Sequence, residues 1–295
     1  MKKYFLFYVM PIIALLSFSA CSDEDEEEED ALPSNYIVDG TLPGYFSTSK
    51  STKIQFSMGN LQYQASTNTW RFASNQYDAI KDGNVNISPS YDGWIDLFGF
   101  GTSGWQSGAT NYQPYSTSVL NEDYFVFATK QYNFQNDYIN GDWGIYNAIS
   151  NGGNKPGLWK TLTREEFYYI KTERPSAESL IGTGVVNNIN GLIILPDNWK
   201  APNGITFHAD ATDCNTNTYS IKEWRKMEAA GAVFLPSTHV REGNKMYMDY
   251  DDTGFYWLQG AGIVSGRPAT LLIGKVSPEI SAIEPSYGLA VRLVK

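Results

Sequence analysis

Leu162-Thr163-Arg164-Glu165-Glu166-Phe167 and Tyr219-Ser220-Ile221-Lys222-Glu223-Trp224 decide the fold. In both, a hydroxyl residue is followed three positions later by glutamate. That is the pattern of a capping box: the hydroxyl accepts from a first-turn backbone N–H, and the carboxylate reaches back to the N–H of the cap residue. In both, a large apolar residue precedes the cap and another stands four positions after it, the spacing of a hydrophobic staple. The spacing predicts two helices. Phe167 and Ile170 form the core face of the first, and Pro175 stops it. Trp224 and Met227 form the core face of the second, and Gly231 is its C-terminal stop.

Each helix is followed by an apolar run that ends in Leu-Pro, Gly191 to Pro196 and Gly231 to Pro236, and both read as strands. The boxes lie 57 residues apart and the prolines 40, so there is no single period and no tandem repeat. Upstream, Lys53 to Ser57 alternates like a half-buried strand. Asn60 to Gln64 and Thr69 to Ala73 alternate as well, and Ser66-Thr67-Asn68 between them makes a hairpin turn. Residues 83–157 show little periodicity but carry an aromatic every few positions, which predicts an ordered, loop-rich region covering one side of a sheet. The closing Leu289 to Leu293 alternates as a strand. Strands, an irregular segment, helix, strand, helix and further strands make an α+β protein.

The N-terminus has a different character. Lys2 and Lys3 precede a run without charge from Tyr4 to Ala20, and the small residues Ser19 and Ala20 stand before Cys21. This reads as a secretion signal. Phe18-Ser19-Ala20-Cys21 resembles a lipobox, the motif that marks a bacterial cysteine for acylation, with Phe18 where leucine is usual. Eight consecutive acids, Asp23 to Asp30, follow; charge at this density makes a solvated tether. Cys-Ser-Asp-Glu-Asp at its start resembles the export signal of Bacteroides-type surface lipoproteins. The expected organisation is a signal peptide over 1–20, a lipidated acidic tether and lead-in over 21–44, and a single domain over 45–295. The expected location is the outer membrane, with the domain exposed at the cell surface and held by lipid on Cys21.

Composition narrows the function. The net charge is -10, but without the acidic run, Lys2 and Lys3 the chain has 20 basic and 24 acidic residues, about -4. With no basic cluster to neutralise phosphates, nucleic acid is excluded as a partner. Of two cysteines Cys21 would be acylated, which leaves Cys214 as a lone thiol, expected to be buried and inert. One free cysteine with His208 and His239 cannot build a zinc site of several Cys and His.

Several segments together resemble the Fibrobacter succinogenes major paralogous domain family. They are Phe56 to Tyr63, Asn147 to Gly153, Trp159 to Phe167, Gly191 to Pro196, Gly231 to Pro236, Tyr256-Trp257 and Val291-Arg292-Leu293. The resemblance covers about residues 45–295. It implies a C-type-lectin-like fold of the formylglycine-generating-enzyme type, with two helices around small antiparallel sheets and long ordered loops. It does not carry over an activity. The formylglycine-generating branch needs a reactive cysteine pair and the sulfoxide-synthase branch three histidines, and this chain has neither.

The expectation is therefore a non-catalytic binding or adhesion module for a glycan or protein ligand, without cofactor or metal. Alternatives are a structural or accessory lipoprotein of a surface assembly and, third, a divergent hydrolase. Asp249-Tyr250-Asp251-Asp252-Thr253-Gly254 begins like a calcium loop, but Gly260 stands where the closing glutamate belongs, so it reads as a polar turn. Most aromatics should be core; Trp105, Tyr112, Tyr115, Trp143, Tyr247 and Trp257 are the candidates for exposed rings. The expected ligand surface is Arg241, Tyr247, Tyr250, Asp251, Tyr256, Trp257 and Arg267, because arginine and rigid aromatics between two apolar strands suit recognition. Tyr256 and Trp257 equally fit a core strand.

Overall fold

A computed structural model describes residues 36–106, 112–124, 132–247, 253–274 and 277–295. They form an α+β domain of small sheets and three α-helices: α1 (Trp143–Tyr146), α2 (Arg164–Thr172) and α3 (Ile221–Ala229). None of the described helices is long and apolar enough to cross a membrane.

Both predicted capping boxes are formed. Thr163 Oγ1 accepts from Glu166 N at 3.1 Å, and Glu166 Oε2 accepts from Thr163 N at 2.9 Å. Ser220 and Glu223 repeat the exchange at 3.3 and 2.8 Å. Both staple pairs are buried, Leu162 with Phe167 and Tyr219 with Trp224. At the end of α3, Gly231 takes φ +97°, donates to Glu228 O, and lets Ala232 N reach Met227 O at 2.9 Å. That is a Schellman motif, and the left-handed backbone is why glycine stands there.

The two Leu-Pro runs are neighbours. Ile189–Ile194 pairs antiparallel with Val233–Pro236, Ile194 opposite Val233 and Gly191 opposite Pro236. Their apolar runs are nearly continuous because the sheet is covered on both faces. Leu192, Ile194, Val233 and Leu235 join a core with Phe167 and Ile170 of α2. Ile193, Leu195 and Phe234 join another with Trp224 and Met227 of α3.

A third strand, Ile181–Val186, pairs on the other side of Ile189–Ile194 and was not expected from sequence. Gly182, Thr183 and Gly184 break its apolar pattern, yet every residue in it is buried. Its turn does carry a local signal. Asn187 and Asn188 sit at φ +50° and +61°, the left-handed pair that a tight two-residue hairpin needs. The predicted hairpin upstream is present too, Leu61–Gln64 on Thr69–Phe72, with Asn68 at φ +49° in its turn.

The irregular stretch is core rather than cover. Phe98, Phe100, Tyr124, Tyr132 and Trp143 are buried in the largest cluster with Trp159 and Trp257. The closing segment is buried on both sides. Leu289, Val291 and Leu293 enter that aromatic cluster, while Ala290 and Val294 enter the α2 cluster. Between them Arg292 lies in a buried polar seam, donating to Gln76 Oε1 at 2.7 Å and Phe234 O at 3.0 Å. Gln76 in turn donates to Glu228 at 2.9 Å, and Glu228 accepts from Tyr36 Oη at 2.5 Å.

That last contact fastens the lead-in to the domain. Tyr36 is tied to α3, Leu42 is fully buried, and Gly40 O accepts from Met58 N at 2.7 Å. From residue 36 the lead-in packs on the domain. Leu42 supplies the reason: its side chain completes the α2 core.

Candidate functional site

The expected ligand surface does not assemble. Arg241, Tyr256 and Trp257 are buried, at 0, 2 and 1 % exposure. Arg241 donates to Gly243 O at 2.8 Å and to Ser116 O and Leu97 O at 3.2 Å each, so its charge is spent on backbone carbonyls. Tyr256 Oη donates to Pro236 O at 2.8 Å, and Trp257 Nε1 to Phe98 O at 2.6 Å. The physical reason is that the strand Gly254–Ala261 lies between covered faces, so it is core over most of its length. Tyr247 and Arg267 keep exposure, but Tyr247 ends the strand Lys245–Tyr247 while Arg267 stands in the bend before the strand Pro268–Ile273 of another sheet. Tyr247 bonds to Glu242 and packs its ring 6.3 Å from that of Tyr287; Arg267 pairs with Glu284. Tyr250 and Asp251 lie outside the described residues, as do Asp249 and Cys21.

Of the other expected exposed rings, Trp143 is fully buried. Trp105, Tyr112 and Tyr115 are half-buried and pack on the aromatic cluster from outside. His239 is buried and His208 exposed. Cys214 is half-buried at the rim of a hollow of about 350 Å³ rather than enclosed in the core. Among the described residues no three His, Cys, Asp or Glu are grouped so as to hold a metal ion.

The arrangement that does gather chemistry is a cleft of about 310 Å³ on the far side of the aromatic cluster. Six segments build it. Tyr63 comes from a strand, Ala65 and Asn68 from the turn that follows, Pro89 from a loop, Ser103 and Gly104 from a second, Gln113 to Tyr115 from a third, and Tyr146 with Asn147 from the end of α1. Each is held from below. Asp142 caps α1, accepting from Gly144 N at 3.0 Å and from Thr161 N at 2.8 Å. Gly144 allows that fit, since a Cβ there would stand 2.5 Å from Trp159 O. Trp143 anchors the helix in the core and donates to Thr102 O at 3.2 Å. Gly104 has φ +85° and donates to Tyr112 O at 2.8 Å, which ties the two loops together.

Burial of Asp142 raises its carboxyl pKa to about 6, against the backbone N–H groups that favour the charge. Tyr63 forms the floor and is 3 % exposed, with its ring 4.5 Å from Trp70. Burial, helped by Tyr115, pushes its phenol up to about 12, so it stays a neutral donor; it donates to Asn68 Oδ1 at 3.0 Å. Tyr146 is 39 % exposed at the rim and Tyr115 is half-buried in the wall. The described lining holds three tyrosines, three side-chain amides, a serine and two prolines, and no charged side chain. Such a surface can stack rings and exchange hydrogen bonds, and offers no carboxylate for acid–base chemistry.

Sequence reasoning found only Tyr115 of this set, as a ring that could be exposed. A hollow of about 420 Å³ over α2 is larger, and Thr48, Tyr168 and Tyr169 line it too, but its charged groups, Arg164, Glu165 and Glu173, are long side chains with rotamer freedom to lose on binding. Comparison with protein-family models, curated proteins and solved structures finds no match to this chain.

Proposed function

We propose that this protein is a non-catalytic binding module that recognises carbohydrate in the Tyr115–Tyr146 cleft, displayed as a lipoprotein at the outer-membrane surface. The observation that carries the reading is the lining itself: flat ring faces beside fixed amides, without an ionised group among the described residues. Sugar rings have apolar faces that pack on aromatics and hydroxyl edges that both donate and accept. A divergent hydrolase is disfavoured at this cleft, because glycoside hydrolysis needs two carboxyl groups flanking the bond. A structural partner surface is disfavoured there as well, since the cleft is concave and polar rather than flat and apolar.

The finer fold reading belongs to the same proposal. Two capped helices among small antiparallel sheets, with long ordered loops, agree with a C-type-lectin-like fold of the formylglycine-generating-enzyme type. So does the placing of the cleft on loops held by a rigid aromatic core. Lipidation at Cys21 and surface exposure rest on Phe18 to Cys21 and the acids that follow.

The test is a glycan array probed with the full chain, purified in a detergent without a sugar headgroup. Binding to a defined set of glycans is expected. Tyr115→Ala and Tyr146→Ala should each weaken it by about tenfold, from lost ring contact and buried area. Binding that survives both substitutions would place the ligand elsewhere and overturn the assignment of the cleft.

A further inference from the structure

We infer that the cleft selects an uncharged sugar, held by a fixed pattern in which Asn68 donates and Asn147 and Gln113 accept. The inference rests on the carbohydrate reading above and adds the class of carbohydrate. Its basis is that the protein's own hydrogen bonds already use part of each amide.

Asn147 has spent its donors. Its Nδ2 gives one hydrogen bond to Ser103 O at 2.9 Å and one to Trp143 O at 3.1 Å, so Oδ1 is the end left for a ligand. Gln113 gives one Nε2 hydrogen to Gln106 O at 3.0 Å, which leaves Oε1 to accept and the second Nε2 hydrogen to donate. Asn68 is reversed. Its Oδ1 accepts from Tyr63 Oη at 3.0 Å, which leaves the Nδ2 hydrogens to be given away. An amide can normally turn over to suit either polarity. Here a flip of Asn147 would set its oxygen against two carbonyl oxygens, and a flip of Asn68 would leave the buried Tyr63 hydroxyl without an acceptor.

The result is a mixed pattern: the oxygens of Asn147 and Gln113 accept, Asn68 Nδ2 and the second Nε2 hydrogen of Gln113 donate, and the hydroxyls of Tyr115 and Tyr146 do either. Adjacent sugar hydroxyls satisfy such a pattern, because each donates once and accepts once or twice. An ionised carboxylate, sulfate or phosphate only accepts. In this cleft it would meet the oxygens of Asn147 and Gln113 with no lysine or arginine in the described lining to pair with it. Desolvating an unpaired charge is costly enough to decide between otherwise similar ligands. Buried Arg241, which reaches Ser116 O next to Tyr115, is already committed to three carbonyls.

The experiment compares matched pairs of oligosaccharides that differ only by an acidic group, a neutral chain against its sialylated, uronic or sulfated counterpart. The full chain is titrated in the same detergent. The neutral member should bind at least about tenfold tighter than the acidic one. Asn68→Asp tests the polarity directly. It keeps an oxygen for Tyr63 and tolerates the left-handed backbone, but removes the donor and adds a charge. It should lower affinity for the neutral sugar by about tenfold or more, with an unchanged melting temperature. If acidic members bind as tightly as neutral ones while Tyr115→Ala still weakens binding about tenfold, the selection is wrong and the carbohydrate reading stands. If no member of any pair binds, the carbohydrate reading itself fails, and this inference with it.

Discussion

Replacing Arg241 by methionine should destabilise the fold rather than remove a ligand contact. The side chain is fully buried and holds three carbonyls, of Gly243, Ser116 and Leu97. Gly288 packs against the guanidinium so closely that a Cβ there would lie 3.0 Å from Nε. Methionine fills much of the volume and leaves the three oxygens without their donor. At about 1–3 kcal/mol for each buried group left unsatisfied, the loss is roughly 3–9 kcal/mol. Against this stands relief of the buried charge. Burial lowers the Arg241 pKa from 12.5 to about 10, which corresponds to about 3 kcal/mol. The difference spans about 0–6 kcal/mol, and the expected destabilisation is about 3 kcal/mol, the middle of that range. Urea unfolding followed by tryptophan fluorescence measures it directly. Arg267→Met is the control: its ion pair with Glu284 is partly exposed and should change stability by less than about 1 kcal/mol. An Arg241→Met protein as stable as the parent would refute the reasoning.

Thr163→Ala and Ser220→Ala should each cost about 0.5–2 kcal/mol in the same unfolding assay, through lost capping of α2 and α3; unchanged midpoints would deny the boxes their role. Asp96 and Asp142 give a pH dependence of defined sign. Burial raises both carboxyl pKa values from 3.8 to about 6, so between these limits the folded state holds protons that the unfolded chain has released. Their contribution therefore makes the protein more stable as pH falls from about 6 to 4, by up to about 3 kcal/mol each. Asp197 and Glu223, whose pKa values are lowered, act in the opposite direction. The stability of the parent relative to Asp96→Asn should accordingly rise over that interval, and a constant difference would contradict it. On the proposed lipidation of Cys21, Cys21→Ala should move the protein out of the membrane fraction, because acyl chains would provide the hold; unchanged fractionation would argue against the lipid anchor.

How much of this was legible in the sequence follows the range of the interactions. The capping boxes, the Gly231 stop and the Ser66–Asn68 turn depend on residues within about one turn of each other, and each stands where its spacing put it. Ile181–Val186 was hidden because Gly184 sits where a Cβ would press within 2.7 Å of Asn217 O, so packing between distant segments chose glycine over a strand former. The arginine and aromatic residues of 241–267 were misread for a related reason. Composition alone cannot tell a recognition residue from one whose polar end is satisfied by carbonyls far along the chain. Arg241 reaches Leu97 across 144 positions, and Trp257 reaches Phe98 across 159. The cleft has the same origin. Asn147 reads as a helix-end residue until Ser103 is beside it, and Asn68 as a turn residue until Tyr63 fixes which end of its amide is free.

The most direct test of the account is a crystal structure of the protein with a neutral oligosaccharide that it binds. The account predicts one sugar ring lying against Tyr115 or Tyr146, with hydroxyls donating to Asn147 Oδ1 and Gln113 Oε1 and accepting from Asn68 Nδ2. A sugar bound in the hollow beside Cys214, over α2, or on the Tyr247–Tyr287 face, with the tyrosine–amide cleft empty, would contradict it.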